Sequence, residues 1–170
     1  VRRHESLRTT FPATSGEPRQ EIDEPSFHLA LVDLSSMPDA EREPEARRLV
    51  DEDARRPFDL GRGPLFRATL VRLAERSSLL LLAMHHIVSD GWSLGVLVEE
   101  LGALYGAFSR GRPSPLPELD LHYADYARWQ RAWLRGAELD RQLAYWKSAL
   151  DGAPPALELP SIRPRPAHQT

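Results

Sequence analysis

The residues with the clearest chemical potential lie in one short stretch, Met84-His85-His86-Ile87-Val88-Ser89-Asp90-Gly91. Histidine titrates near neutral pH, so its side chain can accept a proton or orient an amine under those conditions. Neighbouring side chains on an extended strand point in opposite directions. His85 and His86 are therefore predicted to have different roles, with one facing a cavity while the other packs inside.

The same residues also allow explanations without catalysis. The two histidines could be hydrogen-bonded polar residues at a strand end, Asp90 could cap a following helix, and Gly91 could supply a positive φ. A zinc site is disfavoured because adjacent histidines diverge, the chain has no cysteine, and no third histidine stands at a familiar spacing. A Ser-His-Asp hydrolase is disfavoured because no Gly-x-Ser-x-Gly elbow occurs.

The elements around this stretch predict a junction of strand, loop and helix. Two runs, 65–73 and 79–84, predict an antiparallel hairpin. The second run is apolar without alternation, which is typical of a strand buried on both faces in the middle of a sheet. From Trp92 to Phe108 the pattern is helical, with Glu99 and Glu100 predicted to lie off the apolar face. Such a junction can hold side chains at a sheet edge on a rigid core.

The other elements follow in an irregular order. The patterns predict the end of a helix at 1–8, a loop or hairpin at 13–24, a strand at 27–34, a charged helix with a solvated face at 38–56, helices at 123–133 and 139–150, and a linker at 156–170. Strands do not alternate regularly with helices, so a doubly wound parallel sheet is disfavoured. We predict an α+β fold with a mostly antiparallel sheet and helices packed on it.

Composition narrows the class of protein. A chain of 170 residues suffices for one domain or one lobe, and a net charge of −3 provides no basic field for nucleic acid. The longest apolar run is too short to span a bilayer, so no membrane partner is predicted. The absence of cysteine is compatible with a cytoplasmic protein. Because the sequence lacks an initiator methionine and starts inside an apparent helix, we expect it to be a piece of a longer chain.

Three motifs together resemble a known family. They are Arg3-His4-Glu5-Ser6-Leu7-Arg8-Thr9-Thr10-Phe11, the stretch from Met84 to Ser93, and Tyr123-Ala124-Asp125-Tyr126-Ala127-Arg128-Trp129-Gln130. In type and order they are similar to the motifs of condensation domains of nonribosomal peptide synthetases. The Pro-Phe-Asp-Leu stretch at 57–60 and the Pro-rich tail resemble the same family. The resemblance covers nearly the whole chain.

The resemblance implies roles for the residues of the central motif. His86 matches the active-site histidine, and Gly91 matches the glycine beside the reaction centre, where a side chain would crowd the substrate tunnel. His85 matches a histidine usually interpreted as structural. Both histidines are kept, which disfavours the heterocyclising relatives, and the residues that follow look most like the subtype that joins two L-configured residues.

The resemblance also implies that Asp90 shapes the loop by pairing with an arginine. Arg3 is the first candidate for that arginine and Arg8 the second. No metal and no cofactor of the domain's own are expected.

The implied reaction is amide formation between a donor acyl or peptidyl thioester and an acceptor aminoacyl thioester. Both substrates would hang from phosphopantetheine arms of peptidyl carrier proteins, and an adenylation domain would be a neighbour. Residues 1–155 would form part of an N-terminal lobe related to chloramphenicol acetyltransferase, and residues 156–170 a linker towards a missing C-terminal lobe. The alternatives are an acyltransferase that uses a coenzyme A thioester and a non-catalytic module that docks a carrier protein.

Overall fold

The computed structural model describes residues 1–154, which fall into two compact units. The first unit, Val1–Tyr126, holds every strand, and the second begins at Ala127. After a short 3-10 helix, Glu5–Arg8, the elements in chain order are β1 (Thr9–Thr10), β2 (Ala13–Thr14), β3 (Glu17–Pro18), β4 (Glu21–Ile22), β5 (Leu29–Asp33), α1 (Asp39–Arg55), β6 (Phe66–Ala74), β7 (Ser77–Met84), α2 (Gly91–Phe108), α3 (Tyr123–Trp133) and α4 (Ala137–Ala149).

The main sheet has the strand order β5-β6-β7. β6 and β7 form the predicted antiparallel hairpin, whereas β5 pairs with β6 in parallel. The two ladders formed by β1 with β4 and β2 with β3 are antiparallel. The chain is therefore α+β with mostly antiparallel pairing, as predicted, and one parallel pair is added because α1 forms a crossover between β5 and β6.

The prediction that the second hairpin strand lies in the middle of a sheet was wrong, because within residues 1–154 β7 pairs only with β6. Its continuous apolar sequence has another cause. Leu79 and Leu81 pack on the cluster around Leu34, Ala46 and Val71, which joins β5, α1 and β6. Side chains on the other face of the strand, Leu80 and Leu82, line an apolar cavity together with side chains of α2. Both faces of β7 therefore meet apolar side chains although the strand lies at an edge.

The N-terminal region is less helical than predicted. Only Glu5–Arg8 is helical, and it leads directly into the buried strand residues Thr9 and Thr10. The segment predicted as a loop or hairpin forms two short ladders. Ser15 and Gly16 both have positive φ at the turn of the inner ladder, as a two-residue hairpin loop with right-handed strand twist requires.

The predicted helices are present with small changes at their ends. Ion pairs within α1, such as Arg47 with Glu43 and Arg48 with both Glu45 and Glu52, cover the charged face that was predicted to be solvated. α3 and α4 follow the predicted bounds closely. The predicted linker at 156–170 lies outside the described residues.

Candidate active site

The central motif lies where β7 ends and α2 begins. The backbone N–H of His85 donates to the Leu65 carbonyl at 3.0 Å, so this residue continues the pairing of the hairpin. The chain then turns, with the N–H of Val88 donating to the His85 carbonyl at 3.1 Å and the Val88 side chain buried. A sheet strand and a buried apolar residue therefore hold the loop from both ends.

The two histidines lie in different environments, as strand geometry predicts. His85 is half-buried, and its ring lies 5.9 Å from the Phe58 ring, nearly perpendicular to it. Its Nδ1 accepts a hydrogen bond from the Ile87 backbone N–H at 3.0 Å. His86 is exposed and faces a cleft.

The cleft beside His86 has a volume of about 190 Å³. It brings together the first two motifs and the start of the third, which lie far apart in the sequence. Its lining includes Ser6 and Thr9 from the first motif, Ser89 and Ser93 from the second, and Tyr123 from the third. Gln20, between β3 and β4, lies in no motif and was not singled out by the sequence.

Asp90 caps α2. Its carboxylate accepts hydrogen bonds from the Ser93 backbone N–H at 2.8 Å and from Ser93 Oγ at 2.7 Å. These bonds hold the pKa of the Asp90 carboxyl below its ordinary value, and the nearby His86 acts in the same direction. The helix-cap interpretation considered from the sequence is therefore the one that the geometry supports.

The predicted ion pair between Asp90 and Arg3 is absent from the structure. Arg3 Nε instead donates to Glu100 Oε1 at 2.9 Å, and His4 Nε2 lies 2.6 Å from Glu100 Oε2. The Asp90 carboxylate is already occupied by its own helix terminus, while Glu100 offers Arg3 a partner that is shielded from water. The Glu100 side chain is only 16% exposed.

The second candidate arginine does not reach Asp90 either. Arg8 donates to the Asp23 carbonyl and lies 3.6 Å from the carboxylate of Glu5. The prediction of an arginine paired with Asp90 was therefore wrong for both candidates.

The sequence also misplaced Glu100 by predicting it off the apolar face of its helix. It follows Leu97 by three residues and precedes Leu104 by four, so it shares their face. Opposing effects act on its carboxyl: burial raises the pKa, while hydrogen bonds from His4 and Arg3 lower it, and the net pKa lies below the ordinary value. The adjacent Arg-His pair near the N-terminus was the signal in the sequence for a carboxylate on this face.

Gly91 is the first residue of α2, and it does not have the positive φ that one interpretation required. A Cβ built on it meets no atom within 4 Å. Neither backbone strain nor crowding within the described chain therefore requires glycine at this position.

Two further properties limit the chemistry of the described chain. Among residues 1–154, no group of three or more histidine, cysteine or acidic side chains could hold a metal ion. In the same part of the chain, no helix has the length and hydropathy needed to cross a membrane.

Comparison with known proteins adds relatives that match the whole chain. Over 172 residues it is 54% identical to part of the linear gramicidin synthase of Brevibacillus parabrevis, and over 171 residues it is 49% identical to phosphinothricin tripeptide synthetase PhsC of Streptomyces viridochromogenes. Each alignment covers 100% of this chain but only 2% and 16% of those proteins. The chain therefore spans a small part of the relatives it matches.

Solved structures agree on the fold. The X-domain from teicoplanin biosynthesis, in complex with OxyB, matches with a TM-score of 0.83 and 31% identity, over 98% of this chain and 36% of that one. The starter condensation domain of rhizomide synthetase RzmA matches with a TM-score of 0.78 over 89% of this chain and 36% of that one, and at 22% identity this likeness concerns the fold alone. These matches confirm the predicted α+β lobe. Because the family model for the condensation domain matches residues 1–170, the chain belongs to the condensation domain family.

Proposed function

We propose that this chain supplies the histidine-bearing lobe of a domain that forms amide bonds between two thioesters on carrier proteins. The cleft that His86 faces carries the proposal, because residues from three separate motifs line it. The relatives are synthetases of peptides, which agrees with amide formation as the reaction.

In the proposed reaction, the amine nitrogen of the acceptor attacks the carbonyl carbon of the donor thioester. A C–N bond forms, the C–S bond breaks, and the proton lost by the amine is balanced by the proton that the leaving thiolate takes up. An exposed imidazole such as that of His86 can accept that proton or hold the amine in line. Holding both thioesters in one cleft converts a bimolecular reaction into an effectively unimolecular one.

The other residues of the motif would act on the position of His86. Asp90 starts α2 and fixes the end of the loop, while His85 anchors its beginning. Gly91 leaves open space next to the loop, where a substrate has room to pass. The substrates would be delivered on phosphopantetheine arms of donor and acceptor peptidyl carrier proteins, next to an adenylation domain, in the cytoplasm. We further propose that residues 1–155 form part of the N-terminal lobe and that residues 156–170 lead towards a C-terminal lobe.

A second candidate function is a binding module. It is favoured by the likeness to the X-domain, which has been solved in complex with another protein, OxyB. A third, acyl transfer from a coenzyme A thioester, would use the same histidine.

The test uses a two-lobed domain that contains this chain, with one donor acyl group presented either on a carrier protein or on coenzyme A. Amide product only from the carrier-bound donor is the expected result. Equal or faster turnover of the coenzyme A donor would favour the third function. Carrier binding without product from either donor would favour the binding module.

A further inference from the structure

Arg67, in the middle strand of the main sheet, has a guanidinium fixed by the end of α1. Its Nε donates to Asp53 Oδ1 at 3.1 Å, and one terminal nitrogen donates to the carbonyls of Asp53 and Arg56 at 3.1 and 3.2 Å. The side chain is 12% exposed. A planar guanidinium bound at three acceptors has little freedom to move, so it forms a rigid surface inside the first unit.

The Phe58 ring lies against that surface. The Arg67 guanidinium carbon is 3.9 Å from the ring centroid, the arrangement of a cation–π contact. The backbone beside Phe58 is held as well, because the Asp59 carboxylate accepts hydrogen bonds from the backbone N–H groups of Gly61 and Arg62. Phe58 is therefore fixed both by its ring and by its loop.

The same ring contacts His85, with the centroids 5.9 Å apart and the planes at 85°. This orientation keeps the imidazole where its Nδ1 accepts the hydrogen bond from Ile87. That bond encloses His86, since it joins the residues on either side of it. Contacts thus lead from α1 through Arg67, Phe58 and His85 to the loop that carries His86.

We infer that Arg67 and Phe58 are positioning residues, which hold the His85 ring and through it the direction of His86 into the cleft. The inference rests on the proposed function, because it matters only if His86 takes part in the reaction. It assigns a task to the Pro-Phe-Asp-Leu stretch, whose likeness to the family carried no role. Neither residue lines the cleft, so neither is expected to touch substrate.

The experiment uses the two-lobed domain with loaded donor and acceptor carriers, and it measures kcat, the KM for each carrier and the melting temperature. Phe58→Leu keeps apolar bulk but removes the ring, whereas Phe58→Tyr keeps the ring. Arg67→Lys keeps the charge but removes the planar contact. Arg72→Lys is the matched control, since Arg72 also lies on β6 and pairs with an aspartate, Asp33, away from the cleft.

We expect Phe58→Leu to lower kcat about tenfold at temperatures well below its melting transition, the factor that loss of one aromatic pair allows. Arg67→Lys should lower kcat about threefold or more, the factor that a weak cation–π contact allows. The KM values should be unchanged, and Phe58→Tyr and Arg72→Lys should match wild type. Where Phe58→Leu does not fold, Arg67→Lys carries the test.

Full kcat in Phe58→Leu or Arg67→Lys would overturn the inference, and so would a Phe58→Tyr variant as slow as Phe58→Leu. A His86→Ala variant measured alongside separates the two ideas. If His86→Ala keeps wild-type turnover, the proposed function of the cleft fails. If it is inactive while Phe58→Leu and Arg67→Lys turn over normally, only the positioning inference fails.

Discussion

At the scale of single residues, the loop depends on His85 acting as a hydrogen-bond acceptor. The Ile87 backbone N–H donates to Nδ1, so that nitrogen carries no proton and the neutral ring holds its proton on Nε2. We therefore predict that the ¹⁵N spectrum of the His85 ring near neutral pH shows an unprotonated Nδ1. A protonated Nδ1 would contradict the loop geometry, and the exposed ring of His28 provides a reference for a histidine outside this loop.

Asp90 gives a second prediction at this scale, because a helix cap and an ion pair respond differently to substitution. Asparagine can still accept the Ser93 N–H bond, so Asp90→Asn should keep the melting temperature near that of wild type. Asp90→Ala loses both bonds and should melt about 2–4 °C lower. Calorimetry of the two variants distinguishes the cases, since an essential ion pair would make Asp90→Asn as damaging as Asp90→Ala.

The sequence identified the central motif at this scale but not its contacts. Which of two neighbouring histidines faces a cleft follows from strand alternation, but only once the inner face is known. The partner of Arg3 depends on which helix passes near it, and that is a tertiary fact. Local hydrogen bonding to Ser93 occupied Asp90 first, which no spacing rule revealed.

At the scale of elements, Glu100 ties the first motif to α2. It receives Arg3 Nε at 2.9 Å and contacts His4, and all three side chains are largely shielded from water. We predict that Glu100→Gln lowers the free energy of unfolding by about 2 kcal/mol, the size expected for charged hydrogen bonds. Urea unfolding measures the change. Glu99→Gln, on the exposed side of the same helix, is the matched control and should be neutral.

The same pair predicts a dependence on pH. The pKa of the folded Glu100 carboxyl lies below its ordinary value of 4.5, so its ion pairs add stability above that pH. That stability is lost as the pH falls through the lower folded pKa. The difference in unfolding free energy between wild type and Glu100→Gln should therefore shrink below about pH 4. A difference that stays constant from pH 7 to the acid limb would contradict the role of the ionised carboxylate.

Periodicity predicted the elements better than their neighbours. The hairpin and α2 appear within a few residues of the predicted bounds, because their apolar runs are long and bounded by turn residues. β7 was misplaced because a strand in the middle of a sheet and an edge strand with apolar partners on both faces have the same apolar sequence. The parallel pairing of β5 with β6 requires knowledge of where α1 crosses.

At the scale of the whole molecule, large apolar side chains are exposed along α2. Within this helix no residue is buried, and Trp92 and Tyr105 are 84% and 75% exposed. The solved relatives are nearly three times as long as the matched region, which covers about a third of them. We predict that residues 1–170 alone form amide product far more slowly than a two-lobed domain, because the proposed substrate path would lack its other wall. Product at near full rate from residues 1–170 would contradict this.

The central claim is that the chemistry occurs in the cleft at His86, and one comparison tests it most directly. In the two-lobed domain with both carriers loaded, we would measure product formation and carrier affinity for wild type, His86→Ala and His28→Ala, where His28 is an exposed histidine outside the cleft. The account predicts that His86→Ala loses at least about a hundredfold in product formation with carrier affinity kept, while His28→Ala matches wild type. Wild-type product formation by His86→Ala would contradict the account.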